Sequence, residues 1–403
     1  MKGISKNKRG ISLIVLVITI IVMIILAAAI ILSLNSSDII GKANEAKSSS
    51  DTANKKAAAS VLLAEYELAL VNGETTKTPS QYVKEGLEAQ GIDASDIAIT
   101  EDREILVGLS KAAVAFVEAG VQIGDTVTGY TLSQDVSAKS YTTSGNENTF
   151  GEDENGEYVE TDPQPATLTR DESITWKYFG IDENGDALIV GSVTSTTPNI
   201  ILGGKGGFIN GPQELNNLCK AMYSSSMGLA RSIDIADVTR VLEYTGERGS
   251  YNDENDNYIP TEYPKTINEI AREIGYDMSY FGSHTPEEGK NIEEYKSDYY
   301  LIGKTSDANS FNSSNLDIVN LIYPETSNKN YWLASQCVKA AFRWGYAEFN
   351  VIFVDYRNVD AFCLTDTGNS PLFFVGYVRP VVELSDTVEI DSYDAVSKTV
   401  TIK

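Results

Sequence analysis

From Ile11 to Leu34 the chain runs for 24 residues without a charged side chain. As a helix this run reaches about 36 Å, enough to cross the hydrocarbon of a bilayer with some tilt. Lys2, Lys6, Lys8 and Arg9 precede it, and no acid does. Basic residues stay on the cytoplasmic side of a span, so residues 1–10 are expected inside and residues 35–403 outside. A cleaved secretory signal would have a shorter apolar region and a small-x-small site after it. Asn35-Ser36-Ser37-Asp38-Ile39-Ile40 offers no such site. The expectation is a single-pass membrane protein, in contact with lipid through residues 11–34.

Charge restricts the role of the body beyond the span. The chain has 57 acidic and 32 basic residues, and four of the basic ones stand in the leader, which leaves 28 after Leu34. A body this acidic repels polyphosphate, which excludes nucleic acid as a partner. The hydrophobic fraction of 42% is that of a folded protein, and 403 residues have room for about two to three domains. One histidine, His284, and three cysteines without a Cys-x-x-Cys pair argue against a zinc centre. Cys219, Cys337 and Cys363 read as small buried hydrophobes, with a Cys337–Cys363 disulfide as the alternative outside the cell.

Past the span, Lys55 to Leu70 is rich in strong helix formers, and Asn72-Gly73 supplies a stop. Val61, Leu62, Glu65, Leu68 and Ala69 step by three and four, the spacing of one helix face. A stalk helix packed on a small α+β domain is expected over residues 35–130, with a helix at Pro79–Gln90 and a strand at Glu104–Leu109. Residues 131–170 are dominated by Ser, Thr, Gly, Asn and acids and read as an acidic linker. Asp/Asn clusters there and at Asp253–Asn257 raise calcium as a candidate cofactor. No glycine and terminal glutamate occur in register after them, so solvated turns are the preferred reading and no cofactor is required.

Trp176–Ile181 and Ala187–Val193, joined by Asp182-Glu183-Asn184-Gly185-Asp186, predict a β-hairpin in which Asn-Gly supplies positive φ. Helices are expected at Leu215–Tyr223, at Asp234–Tyr244 with Asp234 as opener, and at Ile267–Ile274. Gly203-Gly204-Lys205-Gly206-Gly207 lacks the Gly-Lys-Ser/Thr ending of a phosphate loop and reads as a flexible loop. His284 falls in a loop-like stretch, neither Cys337 nor Cys363 has a histidine base, and no nucleophile elbow occurs. The expectation is therefore not an enzyme.

Two segments carry family likenesses. Lys8-Arg9-Gly10-Ile11-Ser12-Leu13-Ile14 resembles the leader junction of type IV prepilins, a likeness that covers residues 1–70. It implies that a prepilin peptidase cuts between Gly10 and Ile11 and methylates the new amine, and that other pilin-like subunits are partners. Val15 stands where most pilins carry a glutamate, so the likeness does not extend to assembly of a regular filament.

The second likeness lies near the C-terminus. Tyr331-Trp332-Leu333-Ala334-Ser335, Cys337-Val338 and Val375-Gly376-Tyr377-Val378-Arg379-Pro380-Val381-Val382 form a frame. It resembles the C-type-lectin-like modules of bacterial surface proteins, including formylglycine-generating-enzyme-like folds and the variable proteins of diversity-generating retroelements. The fold class implied is α+β throughout: a long transmembrane and stalk helix with a small pilin-like domain, then a C-type-lectin-like binding domain at 171–385 and a terminal β-hairpin at 386–403. Trp332 and Arg379 are its expected structural anchors. Between the frame ends, rings alternate with polar groups, as in binding surfaces. Trp344, Tyr346, Glu348, Asp355, Tyr356 and Arg357 are the expected contacts for an extracellular protein or glycan ligand, whereas Phe349, Phe353 and Phe362 are expected in the core. The competing readings are a minor structural pseudopilin of a secretion or pilus machine and an extracytoplasmic enzyme acting on cell-wall glycans.

Overall fold

In a computed structural model, the described residues are 39–133, 138–142, 150–152, 158–160, 165–194, 197–242, 248–252, 257–260, 265–266, 272, 285, 291, 296–297, 300–301, 316–323, 329–341, 346–354, 359–366 and 373–403. The chain is α+β and divides into two units, Met1–Ala94 and Ser95–Lys403.

In the first unit, α1 (Ile39–Val71) ends where Gly73 takes φ +73°, a left-handed conformation that costs glycine least. Its buried apolar face is Ala59, Leu62, Tyr66 and Ala69. This corrects the expected stripe, because Val61 and Leu68 are 59% and 64% exposed. α2 (Pro79–Ala89) opens with a capping box in which Thr78 and Gln81 each accept the other's backbone N–H. Val83 and Leu87 are its buried residues, and Tyr82 meets Tyr66 at 5.6 Å between ring centroids. Gly86 is needed for the close approach: a Cβ there would lie 2.6 Å from a Leu62 methyl. Among the described residues no helix is long and apolar enough to cross a membrane; the run 11–34 lies outside them.

The second unit begins with β1 (Ile97–Ile99), β2 (Ile105–Val107), α3 (Lys111–Glu118) and β3 (Thr126–Thr128). These residues, expected beside the stalk helix, belong instead with the distal elements. The segment read as a linker holds short paired strands, β4 (Ala138–Thr142) with β7 (Pro165–Thr169) and β5 (Phe150–Glu152) with β6 (Tyr158–Glu160). Then come β8 (Trp176–Ile181), β9 (Ala187–Gly191), β10 (Asn199–Gly203), α4 (Gly204–Tyr223), β11 (Gly228–Ser232) and α5 (Ile235–Val241). The next strands are short: β12 (Arg248–Asn252), β13 (Asn257–Pro260), β14 (Lys265–Thr266), β15 (Lys296–Ser297) and β16 (Tyr300–Leu301). The chain closes with α6 (Leu316–Ile322), β17 (Tyr331–Ala341), β18 (Tyr346–Val354), β19 (Val359–Asp366), β20 (Phe373–Tyr377), β21 (Pro380–Leu384), β22 (Ile390–Asp394) and β23 (Thr399–Ile402).

One sheet runs β11-β21-β9-β8-β3-β23-β22, antiparallel except for the parallel β3–β23 pair. The other runs β10-β20-β17-β12-β13, with β18 on β17, β19 on β18 and β16 on β12. Side-chain alternation puts the two faces of the first sheet into different cores. Trp176, Tyr178, Ile189, Val382 and Leu384 join α4 in one, while Phe179, Leu188, Val190 and Val381 join α5 and α6 in the other.

Two local readings are corrected by the structure, and one alternative is closed. The glycine run 203–207 is the end of β10 and the first turn of α4, not a flexible loop. Gly207 in this run and Gly211 one turn further on serve close packing, since Cβ atoms there would lie 3.2 Å from Leu364 Cδ1 and 3.1 Å from Leu202 Cδ1. The β8–β9 turn has positive φ only at Gly185, +88°, and not at Asn184. Asp182 Oδ1 accepts the backbone N–H groups of Asn184 and Asp186 and ties the loop together. Finally, Asn350 pairs with Cys337 on one side and Cys363 on the other. Two strand spacings put those Cα atoms about 10 Å apart, beyond disulfide reach. The expected helix at Ile267–Ile274 and the Asp253–Asn257 cluster lie mostly outside the described residues.

Candidate functional site

A cleft of about 840 Å³ opens in the second unit. Its walls come from distant parts of the sequence: 122–126 at the start of β3, Lys177 on β8, 190–193 at the end of β9, Asn320, Leu321 and Tyr323 at the end of α6, and Tyr393, Ala395, Ser397 and Lys398 around the turn between β22 and β23. The parallel β3–β23 pair brings the first and last of these together.

Alternation sets Lys177 outward, between the buried Trp176 and Tyr178. Its Nζ donates to Gly124 O at 3.0 Å, which leaves the ammonium further donors for a ligand. Lys329 and Lys398 also line the cleft. Lys398 takes φ +51° in the β22–β23 turn, an uncommon conformation for a residue with a Cβ. Asp125 is the single carboxylate among the described lining residues, and it is 2% exposed. It accepts from Tyr393 Oη at 2.7 Å and from Gln122 N at 2.9 Å. Burial, and then the Asp125 carboxylate that already holds its proton, push the Tyr393 hydroxyl up to about 12, so it stays a donor at neutral pH.

Arg379 also lines the cleft while being almost wholly buried. Nε donates to Gly191 O at 3.0 Å, Nη1 to Ile322 O at 3.2 Å and Tyr331 Oη at 2.9 Å, and Nη2 to Leu321 O at 2.5 Å. Two of these acceptors are carbonyls in the last turn of α6, which lack intrahelical partners and carry the negative end of the helix dipole. The guanidinium also lies 4.8 Å from the Tyr331 ring centroid. Among the described residues it has no carboxylate partner.

Trp332 is fully buried; its Nε1 donates to Ile200 O at 3.2 Å and its ring meets Phe353 edge-on at 4.8 Å. Gly376 makes room for it, because a Cβ there would lie 2.7 Å from Trp332 Nε1 and Phe353 Cε2. Phe349 and Phe353 are buried. Of the six expected ligand contacts, two lie among the described residues. Tyr346 and Glu348 lie at the N-terminal end of β18, with Glu348 opposite Lys339 and Asp366 in the backbone register. Trp344, Asp355, Tyr356 and Arg357 themselves lie outside the described residues, as do Gly10 and Ile11.

A second polar group stands at the β8–β9 turn. Carboxylate oxygens of Asp182, Asp186 and Glu383 lie within 4.8 Å of one another. Burial, and then repulsion by Asp182, raises the Asp186 carboxyl; burial, and then Asp186, raises Glu383. Three hard oxygen donors are of the kind that hold calcium, but exposed acidic groups of this sort are common without an ion. They do not coincide with the Asp/Asn clusters in the sequence at 146–157 and 253–257.

No motif in the sequence marks Lys177, Lys329, Lys398, Asp125 or Tyr393. The one local signal is Lys177, a charge between two aromatic residues in a strand. No protein-family model matches the chain, and no curated protein and no solved structure matches it either.

Proposed function

We propose that this chain is a prepilin-like, membrane-anchored surface protein that displays a C-type-lectin-like ligand-binding domain. The cleft carries the binding half of this reading: its volume falls in the range of small-ligand sites, and its walls carry convergent polar groups. The 24-residue uncharged run behind a basic leader and the Arg9-Gly10-Ile11 junction support the anchored half. The burial of Trp332 and Arg379, with Gly376 giving Trp332 its space, fits the roles that the lectin-like frame gives them. A glycan-hydrolase reading needs two carboxylates facing a scissile bond. Asp125 is the only acid among the described lining residues and is held by Tyr393, so the binding reading is preferred.

The test is N-terminal mass spectrometry of the native protein, together with protease shaving of intact cells. The mature chain should begin at Ile11 with a methylated amine, and fragments of 35–403 should be released from outside. Gly10→Leu should leave the leader in place. An intact Met1 leader on the wild-type protein would remove the prepilin half, and full protection from external protease would remove display.

A further inference from the structure

We infer that the cleft between the β8–β9 hairpin and the β22–β23 turn takes an acidic saccharide, whose carboxylates are met by Lys177, Lys329 and Lys398. The inference rests on the reading of the second unit as a binding domain and names the chemistry of its ligand. Its first ground is a local inversion of charge. The protein carries a net −25, yet the described lining holds Lys177, Lys329, Lys398 and Arg379 against Asp125, with Glu101 and Asp394 acting on Tyr393 at the rim. The second is Arg379. Its charge is surrounded by carbonyl dipoles and a hydroxyl rather than cancelled by an acid, so its field reaches the cleft floor. An anion entering there gains from both the lysines and the buried guanidinium, and the low-dielectric walls strengthen each pairing.

The saccharide half rests on shape and on the rest of the lining. Thr126, Ser192 and Asn320 offer amide and hydroxyl groups that both donate and accept, as sugar hydroxyls do, while Gln122 Nε2 and Ser397 Oγ donate to Gly120 O and Asp394 Oδ2 and keep oxygens that accept. An acidic peptide would most simply bind by adding a strand to an open sheet edge. β9 and β3 do not offer one, because β9 lies between β21 and β8, and β3 between β8 and β23; β22, which brings Tyr393 to the cleft, is the sheet edge, and the oligoglutamate arm of the experiment tests a peptide there.

The experiment uses the full chain in detergent, with calorimetry and thermal shift against three probes: a short oligogalacturonide, its methyl ester and an oligoglutamate of equal charge. The acid saccharide should bind, with the ester about tenfold weaker or worse. Lys329→Glu should weaken binding by about tenfold or more, with the melting temperature of the free protein unchanged. Lys220→Glu, the same charge change at an exposed site on α4, should bind as wild type. If Lys329→Glu lowers the melting temperature, Lys329→Gln replaces it and should still weaken binding. Equal binding of acid and ester would overturn the role of charge while leaving a binding domain. Binding of oligoglutamate but not of the saccharide would overturn the ligand class. Silence from all three probes would overturn the inference, whereas the N-terminal and shaving results would still judge anchoring and display separately.

Discussion

Two arginines in the second unit, one buried and one partly exposed, are held in opposite ways. Arg379, at the crossing from β20 in one sheet to β21 in the other, is surrounded by three backbone carbonyls and the Tyr331 hydroxyl. Arg231, on β11, forks onto a single carboxylate: Nη1 to Asp237 Oδ2 at 2.5 Å and Nη2 to Asp237 Oδ1 at 2.9 Å. Asp237 is also near Arg240, at 3.5 Å, and its side chain accepts the Asp234 backbone N–H in the α5 capping box. The first arrangement joins four chain segments through neutral dipoles and contains nothing that titrates near neutrality. The second joins one strand to one helix through charges that pH and salt reach. An arginine can thus serve as a geometric joint or as a member of an ion network, and the two respond to different perturbations.

The largest effect that would break this contrast is at Arg379. Arg379→Met should cost about 3–5 kcal/mol of unfolding free energy, because it leaves buried carbonyls without donors. Arg379→Lys should recover only part of this, since a point ammonium cannot reach both sides of the fork. Chemical denaturation measures both. A lysine variant as stable as wild type would mean that charge, not donor geometry, is what the junction needs.

A smaller effect is expected at Asp237. Asp237→Asn should cost about 1–3 kcal/mol, because Arg231 and Arg240 keep 32% and 26% of their side-chain surface for water. A double-mutant cycle with Arg231→Ala should return most of that cost as coupling. A loss equal to that of Arg379→Met would erase the distinction between the two sites.

The smallest effect is the pH response of the same cluster. Burial, and then the nearby Asp237 charge, push Asp234 up to about 6 despite Arg231. A carboxyl raised in the folded state contributes stability that is present in full below its unfolded value, about 3.9, and is lost as pH rises through about 6. Melting should therefore rise between pH 7.5 and pH 4.5 by an Asp234-dependent amount. Screening at a side chain that is 34% exposed holds this to about 1 kcal/mol. Asp234→Asn, which keeps a capping side chain, should remove that part of the slope, and Arg379→Lys should leave it unchanged. A slope unchanged by Asp234→Asn would assign it to Asp186 and Glu383, which are raised in the same direction.

The helices show where local reading works. Thr78-Pro79 with Gln81, and Asp234 three residues before Asp237, mark helix starts through contacts closed within one turn. Val61 and Leu68 show where it fails. Periodicity places them on one face, but which face is buried depends on what packs there, and the buried side chains are Ala59, Leu62, Tyr66 and Ala69.

By itself, the sequence determined an uncharged run behind a basic leader, a long helix stopped by Asn72-Gly73, the β8–β9 hairpin and the α+β class. Each depends on composition or on residues a few positions apart. Only the tertiary structure decided that the glycine run 203–207 opens a helix, that Cys337 and Cys363 stand on either side of Asn350, and that Lys177, Lys329 and Lys398 line one cleft. The physical reason is the range of the interactions. A cap or a turn is satisfied by its own neighbours, whereas the cleft depends on β3 pairing with β23 across more than half of the chain, and a three-residue strand carries no local mark of its partner.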